Sequence, residues 1–191
     1  MDLRRYLTFF IVLIGVATTL HSQNSILSGT VSYYYDNDTL SAELSYKNGQ
    51  LEGKQYYYYP NGQLQAEEFW VGDLPHDSAW YYHENGQLEK VGRYDRGLYQ
   101  GEWLFYNEDG VQIRVGAYLD GLPEGKWFFY HESGNSWQEG SFQNGLEEGV
   151  WQYFDESGRL TYEGSYREGN RIGVWYRFTK KGKKKEWKDF N

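Results

Sequence analysis

Glycine recurs along this chain at a fixed interval of 24 residues, and this period limits the possible folds more than any other feature. Four series at this spacing hold 21 of the 23 glycines. Two of the series are Gly62, Gly86, Gly110, Gly134, Gly158 and Gly182, and Gly92, Gly116, Gly140 and Gly164. Because the interval is kept without insertions, the chain is about six and a half copies of one unit and is expected to fold as a repeat protein.

Each unit is predicted to be a β-hairpin. In one unit, an aromatic run from Trp127 to Tyr130 leads to a turn at Ser133-Gly134, and a second run ends at Phe142. Asn-Gly and Asp-Gly dipeptides at this turn, at 61–62, 85–86 and 109–110, favour a two-residue type I′ turn with positive φ at both central residues. The sequence therefore predicts an all-β protein, with tandem 24-residue β-hairpin repeats stacked into an elongated, twisted antiparallel sheet.

The position of the turn also predicts which residues face each other across a hairpin. A two-residue turn at 109–110 places Trp103 opposite Gly116. The same rule gives the pairs Trp127–Gly140 and Trp151–Gly164. An indole lying over a cross-strand glycine would cover backbone that is otherwise bare. Two units depart from the pattern, with Ala79 facing Gly92 and Trp175 facing Lys188.

The aromatic residues are expected to supply most of the core, because the chain has 38 of them, no cysteine and a single methionine. Four tryptophans share one phase of the repeat and are called the tryptophan ladder below: Trp103, Trp127, Trp151 and Trp175. Core packing is the favoured interpretation of this ladder. Exposed members would instead form a groove that stacks on a sugar or a quaternary ammonium group.

The first 22 residues have the pattern of a secretory signal peptide, predicted as an N-terminal helix. Arg4 and Arg5 precede an apolar run from Tyr6 to Leu20, and small and polar residues follow around Ser22. We expect cleavage near Ser22 and a secreted or periplasmic protein, with an uncleaved anchor as the alternative. The expected repeat domain is 23–178.

Charge is distributed unevenly along the chain, whose net charge is −8. Residues 23–178 hold 11 basic against 24 acidic residues, which argues against a nucleic-acid partner. Residues 179–191 are predicted to be a lysine-rich C-terminal capping half-repeat, since lysine on an edge strand resists pairing with another sheet. The alternative is contact with anionic lipid or an acidic partner. The lysines singled out for such binding are Lys180, Lys181, Lys183, Lys184 and Lys185.

The sequence predicts no catalytic, metal or cofactor site. His83 and His131 share a repeat phase but are two units apart, roughly 19 Å in a stacked sheet, which is too far for two ligands of one metal. Glutamates form a row beside the turns, at Glu84, Glu108, Glu132 and Glu156. An exposed turn has no desolvating pocket to raise a carboxyl pKa, so we interpret this row as solvated rather than catalytic.

The units Gly101-Glu102-Trp103, Gly125-Lys126-Trp127 and Gly149-Val150-Trp151, with the Asn-Gly-Gln-Leu turns at 61–64 and 85–88, resemble the membrane occupation and recognition nexus (MORN) repeat. The closer resemblance is to its bacterial variant, which is often labelled a YwqK-family toxin–antitoxin antitoxin. The resemblance covers nearly all of 29–190. It implies stacked hairpins, and it implies scaffold or protein-interaction roles, with membrane binding proposed for some members.

From these observations we expect an exported, non-catalytic protein-interaction or scaffold module with a protein partner. The alternative is a module that binds envelope polysaccharide or lipid head groups through the tryptophan ladder and the lysine-rich tail. An antitoxin-like role is a further alternative that comes from the family label alone.

Overall fold

In the computed structural model, which describes residues 26–191, each repeat contributes two antiparallel β-strands. The strands are β1 (Gly29–Tyr34), β2 (Leu40–Lys47), β3 (Gln50–Tyr58), β4 (Leu64–Val71), β5 (Leu74–Tyr82), β6 (Leu88–Asp95), β7 (Leu98–Tyr106), β8 (Gln112–Leu119), β9 (Leu122–Tyr130), β10 (Ser136–Gln143), β11 (Leu146–Phe154), β12 (Leu160–Arg167), β13 (Asn170–Phe178) and β14 (Lys184–Asp189). They form one sheet in chain order. At about 4.8 Å between strands, this sheet is roughly 60 Å long.

The predicted all-β fold of tandem antiparallel hairpins is confirmed. The signal peptide predicted for residues 1–22 lies outside the described residues. The segment 179–191 contains β14, which pairs with β13 as the last strand of the described sheet.

The predicted turn type is wrong for the hairpin turns at 61–62, 85–86 and 109–110. In the third of these turns, the Asn107 N–H donates to the Val111 carbonyl at 2.9 Å and the Gly110 N–H donates to the Asn107 carbonyl at 3.0 Å. Only Gly110 has a positive φ there, at 77°. This is a three-residue loop of the kind that combines a type I turn with a glycine bulge. The bulge shifts the register next to the loop, so Trp103 still lies opposite Gly116.

Turns with positive φ at both central residues occur instead at the other margin of the sheet, where a strand leads into the next repeat. They are 48–49, 72–73, 96–97, 120–121, 144–145 and 168–169. This edge is called the tight-turn margin below, and the edge with the three-residue loops is called the loop margin. Both margins are linked between repeats by hydrogen bonds. The Gly121 N–H donates to the Tyr99 carbonyl at 2.9 Å, and Asn61 Nδ2 donates to the Glu84 carbonyl at 3.1 Å.

Each ladder indole lies over a glycine of the preceding repeat and not over the residue that faces it in its own hairpin. The register does pair Trp127 with Gly140 inside its own hairpin, but it also pairs Trp127 with Gly116 on the preceding strand. A Cβ atom added at Gly116 would overlap the indole of Trp127, whereas one added at Gly140 would overlap the indole of Trp151. The ring therefore leans toward the preceding repeat. Its Nε1 donates to the Ala117 carbonyl at 3.0 Å, which fixes this direction.

This geometry removes the two departures from the predicted pattern. Every ladder tryptophan covers the glycine eleven positions before it: Trp103 over Gly92, Trp127 over Gly116, Trp151 over Gly140 and Trp175 over Gly164. Gly92 is thus required although Ala79 faces it in its own hairpin, and Lys188 is tolerated although it faces Trp175. Eleven positions before Ala79, Glu68 stands where later repeats have glycine. No indole covers it, because Ala79 replaces the tryptophan.

Candidate binding surface

The tryptophan ladder lies in the core of the structure. Its four side chains are 0–2% exposed. Tyrosine and phenylalanine rings from the same strand or an adjacent one pack against each indole edge to face, with Tyr99 at 4.1 Å from Trp103 and Tyr118 at 5.0 Å from Trp127, measured between ring centroids. One face of the sheet therefore forms its own core from these rings, and it is called the tryptophan face below. A sugar could not stack on the ladder without displacing that packing.

The tryptophan face changes character in the N-terminal repeats, where the ladder stops. Gln55 occupies the tryptophan position, is fully buried, and exchanges hydrogen bonds with the Ser45 backbone at 2.8 and 3.1 Å. In the next repeat the position is Ala79, which faces Glu68 on the preceding strand. Gln55 Nε2 thus donates to the carbonyl ten positions before it, as Trp127 Nε1 donates to the Ala117 carbonyl.

Glu68 is the centre of a polar cluster on this face. One carboxylate oxygen accepts a hydrogen bond from Trp70 Nε1 at 2.7 Å, and the other accepts one from the Tyr81 hydroxyl. The Tyr81 hydroxyl also lies 2.8 Å from that of Tyr94, and Lys90 Nζ lies 4.0 Å from the centre of the Tyr81 ring. Both carboxylate oxygens are thus hydrogen bonded within the chain, and Glu68 links β4, β5 and the Trp70 side chain.

Burial of five tyrosine side chains along the sheet predicts a loss of stability at alkaline pH. Desolvation, reinforced by neighbouring hydroxyls or carboxylates, raises the pKa of Tyr57, Tyr81, Tyr94 and Tyr153, and raises the pKa of Tyr46 to about 12. A pKa raised in the folded state means that stability is complete below the unfolded value near 10 and falls as the pH rises through the folded values. We expect the free energy of unfolding to drop steadily from pH 10 upward.

This alkaline loss can be measured by urea titration at pH 8 to 12, with phenolate absorbance recorded in parallel. Tyr153→Phe removes one of the titrating groups, so its free energy of unfolding should fall less steeply with pH than that of the wild type. A free energy that stays constant from pH 9 to 12 would contradict the prediction.

His83, His131 and the backbone of the glutamate row take part in hydrogen bonds between repeats at the loop margin. His83 Nε2 lies 3.0 Å from the Tyr106 carbonyl and His131 Nε2 lies 3.1 Å from the Phe154 carbonyl, each in the following repeat. The backbone carbonyls of Glu84, Glu108 and Glu156 accept hydrogen bonds from asparagine side chains of the preceding repeat. Within residues 26–191, no group of three His, Asp or Glu side chains could hold a metal ion.

The other face of the sheet, called the open face below, carries aromatic side chains that are partly exposed. Alternation along β9 places Phe128 on this face, next to the buried Trp127. Phe128 and Trp80 are each 36% exposed and Phe69 is 39% exposed. No other layer of the described chain covers them, because its strands form a single sheet.

Two shallow depressions lie on the open face at equivalent places in the repeat. The larger, of about 300 Å³, is lined by Lys126, Phe128, Glu139, Ser141, Val150 and Gln152. The smaller, of about 180 Å³, is lined by residues that include Lys54, Glu67, Phe69, Ser78 and Trp80. In each depression a lysine and a glutamate border apolar side chains, and Lys54 and Glu67 form an ion pair at 2.6 Å. This combination of an apolar floor and a charged border is typical of protein interfaces.

The lysine-rich tail divides into a loop and a strand. Lys180, Lys181 and Lys183 are exposed in the last loop of the loop margin. Lys184 begins β14, donates to Glu163 at 2.8 Å and lies 3.9 Å from the centre of the Tyr176 ring. This hydrogen bond holds the pKa of the Glu163 carboxyl below its usual range. Lys185 is exposed on β14.

Comparison with known protein families matches this chain to a repeat family. The model of the MORN repeat variant matches residues 27–48, 51–71, 123–144 and 147–168. Each matched segment spans a pair of successive strands, for example β9 and β10. No curated protein matches the chain. In residues 26–191, the structure contains no helix that could span a membrane.

Proposed function

Because this chain is a MORN-repeat protein, built from the variant form of the repeat, we propose that it is a non-catalytic module that binds another protein through the open face of its sheet. MORN repeats occur in protein-interaction or membrane-associated modules and are generally non-catalytic. The pattern of residues 1–22 leads us to place this module outside the cytoplasm, as a secreted or periplasmic protein. In this setting the repeats would act as a scaffold.

The observation that carries this proposal is the partly exposed aromatic side chains in the two depressions of the open face. Phe69, Trp80 and Phe128 project from strands that are hydrogen bonded on both sides, so a partner would meet a surface that is already ordered. Rigid aromatic anchors contribute most of the energy in many protein interfaces, and a charged border excludes water around them. The Lys54–Glu67 and Lys126–Glu139 positions supply such a border.

A cross-linking pull-down from native envelope extract tests this function, with the full chain as bait at about 150 mM salt, where weak surface electrostatics are screened. Phe128→Ser should reduce capture of a saturable protein partner by about tenfold or more, as expected when an interface anchor is lost. Leu122→Ser is the matched control, since Leu122 lies on the same strand and is 50% exposed but sits at the tight-turn margin. Equal capture by wild type and Phe128→Ser would reject the open face as the binding surface.

Binding of envelope polysaccharide or lipid head groups is the second candidate function. Trp137 and Trp187 are more than 40% exposed, and the loop lysines Lys180, Lys181 and Lys183 are free to meet anions. Capture of only polysaccharide or lipid in the same pull-down would favour this alternative. Lysine-driven binding should then fall steeply with salt, whereas stacking on sugars should not.

The matched family model is described as a MORN repeat variant and mentions no antitoxin, so an antitoxin-like role has only the family label in its favour.

A further inference from the structure

The two end strands of the described sheet each have one free edge. Within residues 26–191, β1 pairs only with β2, and β14 pairs only with β13. Residues 30–35 at the β1 edge, Thr-Val-Ser-Tyr-Tyr-Tyr, carry no charge and no proline. Such a segment lacks the features by which natural proteins prevent edge strands from pairing. This edge is therefore suited to accept another strand.

The free edges of β14 and β1 are in phase with the repeat. β14 occupies the place of β12 one repeat later, and β1 occupies the place of β13 in an earlier repeat. If β14 of one copy paired with β1 of a second copy as β12 pairs with β13, the chain-order sheet would continue across the joint. Lys188 and Asp189 have the register of Gly164 and Ser165 toward the preceding strand and so hold the same phase at the joint, whereas a bulge at Trp187 shifts Lys185 and Glu186 by one residue.

The indole–glycine pattern is also satisfied at such a joint. Between β12 and β13, Gly164 must be glycine because Trp175 covers it. At the joint, Lys188 takes the place of Gly164 and Val31 of the second copy takes the place of Trp175. Because no indole would be laid over Lys188, its side chain is tolerated there, as Glu68 is tolerated beside Ala79.

Charge complementarity favours the same arrangement. Successive loops of the loop margin lie in contact, and one position of the loop forms the row Asp36, Pro60, Glu84, Glu108, Glu132, Glu156 and Lys180. At a joint, the lysine that ends this row would meet the aspartate that begins it in the next copy. Lys181 would occupy the place of Asn61, whose side chain donates to the Glu84 carbonyl, and Asp36 would occupy the place of Glu84. Asp38 and Lys183 add to the same contact.

Two of the strand lysines, Lys184 and Lys188, do not oppose this pairing. Lys184 is directed across its own sheet, since it bonds Glu163 and lies over Tyr176. Lys188 Nζ lies 4.8 Å from the centre of the Phe190 ring. Both side chains lie over neighbouring side chains of their own copy, which leaves the backbone edge of β14 open.

We propose that copies of this chain associate head to tail, with β14 of one copy adding to β1 of the next and with Lys180, Lys181 and Lys183 facing Asp36 and Asp38. Such an interface uses two different surfaces, so it generates open assemblies unless the ring closes. It involves the ends of the sheet and not the open face, and it therefore stands or fails independently of the proposed function.

Charge reversal tests this proposal by sedimentation of the full chain over a range of protein concentrations. The head variant is Asp36→Lys/Asp38→Lys, and the tail variant is Lys180→Glu/Lys181→Glu/Lys183→Glu. We expect the wild type to self-associate, and each variant alone to do so at least about tenfold more weakly, because like charges would meet at every joint. An equimolar mixture should associate again, since the tail of each variant is complementary to the head of the other.

The mixture distinguishes this arrangement from other modes of association. Pairing of β1 with β1 would not weaken in the head variant, because reversal on both copies again leaves like charges at the contact, and association through residues 1–25, which all variants share, would respond to neither change. All substituted residues lie in loops, so circular dichroism should match the wild type, and melting should change little except for the head variant, because Asp38 has a φ of 62° that favours aspartate over lysine. A wild type that stays monomeric, as expected if the tail is only a cap, or a mixture that fails to recover, would overturn the proposal.

Discussion

Trp127→Ala is expected to lower the free energy of unfolding by about 3–5 kcal/mol, the range for deletion of a large buried aromatic side chain. Trp127 is 2% exposed and packs between Tyr118 and Phe142, with ring centroids at 5.0 and 5.8 Å. Its loss would also expose the backbone at Gly116 and remove the hydrogen bond to the Ala117 carbonyl. Urea titration followed by tryptophan fluorescence and circular dichroism measures the effect.

Trp137→Ala is the matched control for this substitution. Trp137 is 42% exposed, and its indole meets Phe129 and His131 at more than 6 Å between centroids. The control removes the same side chain from the following strand but creates no closed cavity, so its cost should be much smaller. If the two variants unfold at the same urea concentration, the ladder is not the core of the sheet.

The repeat period carried most of the information about the fold. Because no residue is inserted between copies, the spacing of one turn predicts the strand register of the other hairpins, and Trp103 lies opposite Gly116 as the spacing predicts. The turn type was harder to predict from the sequence, because an Asn-Gly dipeptide suits both a two-residue turn and a three-residue loop with a glycine bulge. Asn144-Gly145 at the tight-turn margin and Asn61-Gly62 at the loop margin show the two outcomes in one chain.

The direction in which the indoles lean could not be derived from register. A strand inside a sheet has two neighbours, so Trp127 is paired with Gly116 and with Gly140, and only the side-chain rotamer decides which of them the ring covers. The sequence nevertheless contained a signal for the choice. Glycine lies eleven positions before every ladder tryptophan, whereas Leu44 and Glu68 precede Gln55 and Ala79 by the same interval.

The open face was harder to predict than the core. Aromatic residues alternate on both sides of β9, so the pattern alone does not say that Trp127 is buried and Phe128 is partly exposed. That difference arises because tyrosine and phenylalanine side chains of neighbouring repeats close over one face only. The depressions depend on the packing of side chains from three or four strands, which a single-strand pattern does not contain.

Gly116→Ala should destabilise the protein by about 1–3 kcal/mol, although it adds a single methyl group. The added Cβ would overlap the indole of Trp127, which is held by its own packing and by the Ala117 carbonyl. The φ of Gly116 is not positive, so alanine introduces no backbone strain and the whole effect comes from the indole. Overpacking of this kind forces either the ring or the strand to move.

A double-mutant cycle separates the two neighbours of the indole. Once Trp127 is replaced by alanine, Gly116→Ala should cost little, because the ring that it strikes is gone. Gly140→Ala should keep its full cost in the same background, because Trp151 covers Gly140 even though Trp127 is its hairpin partner. Coupling of Trp127 with Gly140 and not with Gly116 would instead mean that each indole covers the glycine of its own hairpin. The proposed joint, in which Val31 of one copy lies beside Lys188 of another, assumes that each indole leans toward the preceding repeat. It would then lose its steric basis.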